Sequence, residues 1–113
     1  VKKLTEESFK VLVKNSRIIK MGKDIPINES TGEFIGLSKI CSKDLPKIRS
    51  ILETLVSTNR NTYYDYVYQF FSKEKEIHIV YTDGLKWTEI DFLDDLEYAK
   101  KILRELKIGK CNF

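Results

Sequence analysis

The sequence has little glycine and histidine and no long apolar run. Its 5 glycines form neither G-x-G-x-x-G nor G-x-x-x-x-G-K-[ST], so the two common glycine-rich phosphate loops are excluded. The longest apolar runs are a few residues, which excludes a membrane-spanning helix. His78 is the only histidine, and because it lies in an alternating stretch we expect a strand residue rather than a catalytic base.

Cysteine is also scarce. Cys41 and Cys111 are the only cysteines and lack the spacing of metal ligands, so we expect free thiols in a reducing compartment. No signal peptide is recognisable, and we expect a cytoplasmic protein. The sequence begins with Val1 rather than Met, close to a structured pattern, which suggests that an upstream segment is missing.

The composition is that of a globular chain. Of its 113 residues, 42% are hydrophobic and 33% are charged, which is enough for one domain or a part of one. The net charge of +3 suits an anionic ligand such as a phosphate. Acidic and basic residues alternate along the chain, so this small excess does not require a nucleic-acid partner.

Hydrophobic periodicity predicts a mixture of strands and helices. The turn dipeptide Asn15-Ser16 between two short β patterns predicts a β-hairpin. Further strands are expected at 33–40, 76–81 and 87–90, and helices at 45–56, 62–71 and 92–106. Ser42 or Asp44 is expected to cap the first helix. This order is typical of an α/β or α+β domain.

Asp91 has two candidate roles. It follows a predicted strand end at Trp87 to Ile90, where a helix N-cap belongs, and Asp94 lies three residues later. A carboxylate there could also point into a cleft at the edge of the sheet, where open α/β sheets bind ligands. Taken alone, Asp91 favours the capping role.

Three other features are weak when taken singly. Lys23 after Gly22 reads as a solvated turn lysine, and Glu33 before a strand reads as a surface carboxylate. A tyrosine cluster reads as a helix half-buried on the sheet, although part of it could stack on a base or enclose a cationic head group; its members are Tyr63, Tyr64, Tyr66 and Tyr68.

Their order along the chain carries more information. The chain has Gly-Lys at 22–23, G-E-F-I-G at 32–36 and W-x-E-I-D-x-x-x-D-L at 87–96. This series resembles the C-terminal half of the nucleotidyltransferase family, which includes sugar-1-phosphate nucleotidylyltransferases and bacterial phosphocholine cytidylyltransferases. The match covers residues 9–106, and its last motif is the most specific.

The resemblance implies a GT-A-type, Rossmann-like α/β fold with a mixed sheet flanked by helices. Residues 1–113 would form a single incomplete domain, the acceptor-binding half. The implied activity is Mg²⁺-dependent transfer of a nucleotidyl group from an NTP, with CTP a candidate, to a phosphorylated small acceptor with release of pyrophosphate. The family's NTP-binding loop and other metal aspartate are absent, so the chain alone would be inactive.

The resemblance also implies roles for individual residues. Asp91 would be one of two Mg²⁺ carboxylates, and Lys23 would be the catalytic lysine that meets the acceptor phosphate. Glu33 and Gly36 would lie beside the acceptor. For a choline-like acceptor, the cage would be sought among aromatic side chains, namely Tyr63, Tyr64 and Trp87.

Two alternative functions stay open. A non-catalytic α/β module for binding or assembly is the main one, because exposed sheet edges invite pairing with another chain and could form a homo-oligomer. A nucleic-acid binder that uses lysine and tyrosine side chains is a weaker third. We expect neither a nucleic-acid nor a membrane partner.

Overall fold

The computed structural model describes residues 3–106 and divides the chain into two compact units. The first unit spans Leu4–Val80, and the described part of the second runs from residue 81 to 106, together with Lys3. Cys111 and its predicted free thiol lie outside the described residues, whereas Cys41 is a free, exposed thiol.

A β-hairpin begins the first unit and confirms the prediction from the Asn15-Ser16 turn. Strand β1 (Lys10–Lys14) pairs antiparallel with strand β2 (Arg17–Gly22), and Lys14 lies opposite Arg17. Asn15 and Ser16 have φ values of 52° and 61°. Positive φ at both central residues is the backbone of a type I′ turn, whose twist matches that of the strands it joins.

Strand β3 (Gly32–Glu33) adds to the other edge of β1, also antiparallel, and gives the sheet order β2-β1-β3. Lys10 of β1 lies opposite Gly22 of β2 and opposite Glu33 of β3. The predicted strand over 33–40 is therefore wrong beyond Glu33. The N–H of Phe34 still donates to the carbonyl of Phe9 at 3.0 Å, and its ring packs edge-on against Tyr68, with 5.6 Å between ring centroids.

Two helices complete the first unit. A 3₁₀ turn (Ser42–Asp44) leads into helix α1 (Leu45–Thr58), with proline in its first turn, as expected. Asp44 is the N-cap residue, but its carboxylate makes no cap hydrogen bond and instead accepts one from the ammonium of Lys75 at 2.6 Å.

Helix α2 (Tyr66–Phe71) is shorter than the predicted helix over 62–71. The side-chain oxygen of Asn59 accepts a hydrogen bond from the backbone N–H of Asn61 at 3.0 Å, which turns the chain before the helix begins. The core of the unit lies between the sheet and the two helices, and its buried members are Phe9, Val11, Met21, Ile48, Val67, Tyr68 and Phe71.

The predicted strand over 76–81 is also wrong. His78 makes one isolated antiparallel bridge with Arg17, and its side chain is 72% exposed. One backbone hydrogen bond joins the segment to β2, from the N–H of Ile18 to the carbonyl of Ile77 at 3.4 Å. A single bridge is not a ladder, so residues 76–81 do not form a strand.

The second unit contains helix α3 (Leu93–Glu105), which confirms the helix predicted over 92–106. The strand predicted over 87–90 is wrong, since these residues belong to no sheet. The observed fold is thus mixed α/β, with a small open antiparallel sheet of three strands and three α-helices among residues 3–106. No helix in this range has both the length and the apolar character needed to cross a membrane.

Candidate functional site

The first unit brings Lys23 and Tyr63 into direct contact. The Lys23 ammonium donates to the Tyr63 hydroxyl at 3.1 Å and lies 4.6 Å from the centroid of its ring. The same ammonium donates to a carboxylate oxygen of Glu7 at 2.9 Å. Glu7 and Tyr63 are 16 and 40 positions from Lys23 in the sequence, and both contact its ammonium.

The charges of this cluster stabilise one another. The hydrogen bond to Glu7, and then the one to Tyr63, raise the pKa of the Lys23 ammonium to about 12. The hydrogen bond from Lys23 and its charge lower the pKa of the Glu7 carboxyl. Lys23 is therefore a fixed positive charge at neutral pH, suited to contact an anion rather than to transfer a proton.

Gly22 lets the chain place Lys23 at this point. Its φ of 153° lies in a region that residues with a side chain rarely adopt. A Cβ atom there would contact the Asp24 carboxylate and lie 3.2 Å from a ring carbon of Tyr66. The Gly-Lys motif thus has a structural reason: glycine is needed at 22 so that Lys23 can follow the end of β2.

Glu33 lies at the same level of the sheet as Gly22, two strands away across Lys10. With strands spaced at about 4.8 Å, the backbones at 22 and 33 are about 10 Å apart. Glu33 is half-buried, and one of its carboxylate oxygens is buried without a hydrogen-bond partner among the described residues. A buried acceptor of this kind gains free energy when a ligand brings it a donor.

Gly36 does not lie in a strand, contrary to the prediction. Its φ is 84°, and no atom lies within 4 Å of the position that a Cβ would take. Backbone conformation rather than close approach therefore explains this glycine.

Tyr64 lies in the turn before α2 and is 54% exposed. Partial burial of its hydroxyl, followed by the hydrogen bond and charge of Asp65, raises its pKa. The phenol is therefore held in its neutral form at physiological pH, and its ring offers an uncharged surface.

Asp91 belongs to the second unit and does not cap helix α3. Phe92 is the N-cap residue, and the carboxylate of Asp95 accepts hydrogen bonds from the backbone N–H groups of Asp91 and Phe92 at 3.2 and 3.0 Å. The predicted capping role of Asp91 is thus wrong by one residue. Asp91 is exposed, so its carboxylate is accessible to a cation.

Trp87 also belongs to the second unit. It is half-buried and lines a cleft of about 210 Å³ together with Tyr98 and Ile102. Within residues 3–106, no group of three or more His, Cys, Asp or Glu side chains is arranged to hold a metal ion. Asp91 is thus not part of such a group among the described residues.

Glu7 is the cluster member that the sequence analysis missed. The polar run at residues 1–7 reads as a short turn of helix or an arm, and its composition gives no signal that distinguishes Glu7 from Glu6. Only the contact with Lys23 identifies it.

No family model, curated protein or solved structure matches this chain. The resemblance to nucleotidyltransferases therefore rests on the three motifs and stays a prediction.

Proposed function

We propose that the chain is the acceptor-binding part of a Mg²⁺-dependent, GT-A-type nucleotidyltransferase. The enzyme would transfer a nucleotidyl group from an NTP, with CTP as a candidate, to a phosphorylated small molecule. The observation that supports this best is the Lys23 ammonium, held against Tyr63 at the end of the sheet that also carries Glu33. A cation, an aromatic ring and a carboxylate acceptor together suit a small phosphorylated amine or alcohol.

Nucleotidyl transfer requires correctly placed charges rather than a covalent bond between enzyme and substrate. An oxygen of the acceptor phosphate attacks the α-phosphorus of the NTP, and the bond to the departing pyrophosphate breaks with its electron pair on the pyrophosphate oxygen. Lys23 stays protonated and would bind the acceptor phosphate, so it would orient the nucleophile and offset its charge. This role requires a cation that does not titrate near neutral pH.

Glu33, Tyr63 and Tyr64 would contact the rest of the acceptor. The buried, unpartnered oxygen of Glu33 is an acceptor for an ammonium or hydroxyl hydrogen of the substrate. The half-exposed rings of the two tyrosines, 51% and 54% exposed, could pack against a cationic head group. Gly36 would leave the loop after β3 open beside the acceptor.

Asp91 would hold Mg²⁺ in this proposal. Its carboxylate is exposed and is not used for capping, and a hard oxygen ligand with retained water fits Mg²⁺. When bound, Mg²⁺ supplies neutralisation of charge on the phosphate oxygens. The second carboxylate and the glycine-rich loop that bind the NTP would come from a polypeptide segment outside this sequence.

The test is pyrophosphate release by the full-length protein across NTPs and phosphorylated acceptors. Asp91→Asn should lower Mg²⁺-dependent turnover by about two orders of magnitude or more. Asp94→Asn is the matched control, because Asp94 is an exposed carboxylate in the first turn of the same helix. Near wild-type turnover of Asp91→Asn, or equal losses in both variants, would contradict the metal role.

A second candidate is a non-catalytic assembly module. It is supported by the apolar side chains that the second unit exposes: Phe92 is 77%, Leu93 is 81% and Leu103 is 55% exposed. Large apolar side chains exposed together are typical of a surface that binds another polypeptide. If Leu103→Lys abolishes assembly of the full-length protein while no NTP and acceptor pair releases pyrophosphate, this reading replaces the enzyme.

A further inference from the structure

We infer that Glu7 is an internal competitor for the anion site on Lys23: its carboxylate occupies the place on the ammonium that a phosphate takes, and phosphate binding displaces it. The identification of this anion as the acceptor phosphate rests on the proposed function. The competition itself rests on the geometry around Lys23.

The position of Glu7 is built into the fold. Lys10 is 0% exposed, and its ammonium donates to the backbone carbonyls of Thr5, Glu6 and Ser8 at 3.4, 3.0 and 3.1 Å. These carbonyls lie on both sides of Glu7 in the chain. The buried Lys10 ammonium therefore fixes the loop that directs Glu7 toward Lys23.

Two further hydrogen bonds close the same loop. The backbone N–H of Thr5 donates to the Ser8 hydroxyl at 3.1 Å, and the N–H of Ser8 donates to the Thr5 carbonyl at 3.1 Å. A loop held in this way presents its outward side chain at low entropic cost. An accidental surface ion pair would not need such support.

The ammonium of Lys23 has the donors for an exchange of partners. It carries three N–H groups, of which one points to Glu7 and another to the Tyr63 hydroxyl. When a phosphate replaces the carboxylate, the ammonium can stay over the tyrosine ring while one anion leaves and another arrives.

The exposure of the two partners favours exchange at Glu7. The Glu7 side chain is 87% exposed, whereas that of Lys23 is 31% exposed. An exposed ion pair contributes little in water, so the Glu7 carboxylate can move into solvent without a large loss. A phosphate, with a higher charge and more acceptor oxygens, competes effectively for the same donor.

The experiment is an NMR titration of the chain with inorganic phosphate at neutral pH, followed at the Lys23 amide and ammonium. Glu7→Gln keeps the size of the side chain and removes its charge. We expect it to tighten phosphate binding by about two- to fivefold, the scale of one exposed ion pair. Glu6→Gln removes the same charge one residue away, outside the Lys23 ion pair, and should have a smaller effect.

Two further measurements separate specific competition from a general change in charge. Adding Lys23→Met to Glu7→Gln should abolish the gain in affinity. In the wild-type chain, the ¹³C shift of the Glu7 carboxylate should move toward its unpaired value as phosphate binds. Equal effects of Glu7→Gln and Glu6→Gln, an unmoved Glu7 signal, or absence of phosphate binding in every variant would each overturn the inference.

The experiments distinguish a failure of the Glu7 competition from a failure of the proposed function. If Glu7→Gln tightens phosphate binding but the full-length protein releases no pyrophosphate, the competition stands and the nucleotidyl-transfer proposal fails. If pyrophosphate is released and the KM for the acceptor is the same in wild type and Glu7→Gln, the enzyme stands and the identification of the anion as the acceptor phosphate fails.

Discussion

The carboxylate of Asp95 accepts a hydrogen bond from the backbone N–H of Asp91 at 3.2 Å. The same carboxylate accepts a second one from the N–H of Phe92 at 3.0 Å. Asp95 thus satisfies two backbone donors at the start of α3 and places a negative charge in its first turn, where the helix dipole favours one. The backbone N–H of Asp91 donates to this cap, and the carboxylate of Asp91 takes no part in it.

This division of roles gives a stability prediction. Asp95→Ala should lower the local stability of α3 by about 1 kcal/mol, because the helix loses its capping acceptor. Asp91→Ala should leave it within experimental error. Hydrogen exchange of the α3 backbone amides measures both effects, and a larger loss in Asp91→Ala than in Asp95→Ala would contradict the assignment of the cap.

The conformation of Gly22 gives a second prediction. Gly22→Ala should destabilise the first unit by about 1–3 kcal/mol, because alanine is strained at a φ of 153° and its Cβ meets Asp24 and Tyr66. Gly32→Ala is the matched control, since no atom lies within 4 Å of its Cβ position and its φ is not positive. Urea unfolding measures both changes, and similar losses at the two glycines would argue against a special role of Gly22.

A hydrogen bond between Ser38 and Tyr68 gives a third prediction. The two hydroxyls are 2.6 Å apart and join the loop after β3 to helix α2. Tyr68→Phe should cost about 1 kcal/mol of unfolding free energy, because the variant loses the hydrogen bond that the buried Tyr68 makes with Ser38. Ser38→Ala in the same background should then add little. Fully additive losses in the double variant would show that the two hydroxyls do not interact.

The pH dependence of stability follows from the ion pairs. The Lys23 hydrogen bond lowers the pKa of Glu7 from its usual 4.5, and the Lys20 hydrogen bond lowers the pKa of Asp24 from its usual 3.8. A lowered carboxyl pKa stabilises the folded state above the unfolded value, and this stabilisation is lost as the pH falls through the folded value. Stability should therefore decline below about pH 4.5.

In the same ion pair the pKa of Lys23 is raised, so its contribution to stability is lost at high pH rather than at low pH. The folded pKa of Lys23 is about 12, above the usual 10.5, so its contribution is present below pH 10.5 and is lost as the pH rises through about 12. The direct check is a ¹³C titration of the Glu7 carboxyl. Its midpoint should lie below 4.5 in the wild type and return to about 4.5 in Lys23→Met. An unchanged midpoint in Lys23→Met would show that Lys23 does not lower the pKa of Glu7.

The sequence predicts the parts of this fold that local chemistry decides. The hairpin follows from Asn15-Ser16, whose residues tolerate positive φ, and α1 and α3 follow from helical periodicity with clear ends. The errors arise where tertiary contacts decide. Alternation at 76–81 has the pattern of a strand, but the segment makes only an isolated bridge between His78 and Arg17.

The candidate site was predictable to a similar degree. The motif order singled out Lys23, and Tyr63 was a candidate from the tyrosine cluster; the structure brings the two into contact. Glu7 could not be found, because its role depends on a loop held by a distant ammonium and not on any local pattern. The position of the α3 cap was misjudged by one residue, since Asp94 and Asp95 carry the same side chain and only the geometry shows that Asp95 accepts from the N-cap N–H.

The buried ammonium of Lys10 also makes this lysine a reporter of the motion of the first unit. Reagents that acylate amines reach exposed lysines such as Lys86 and Lys100 in the folded protein, with side chains that are 47% and 48% exposed. They reach Lys10, at 0%, only when β1 and the loop before it open. The rate at which Lys10 is labelled therefore measures how often the unit that holds Lys23 opens.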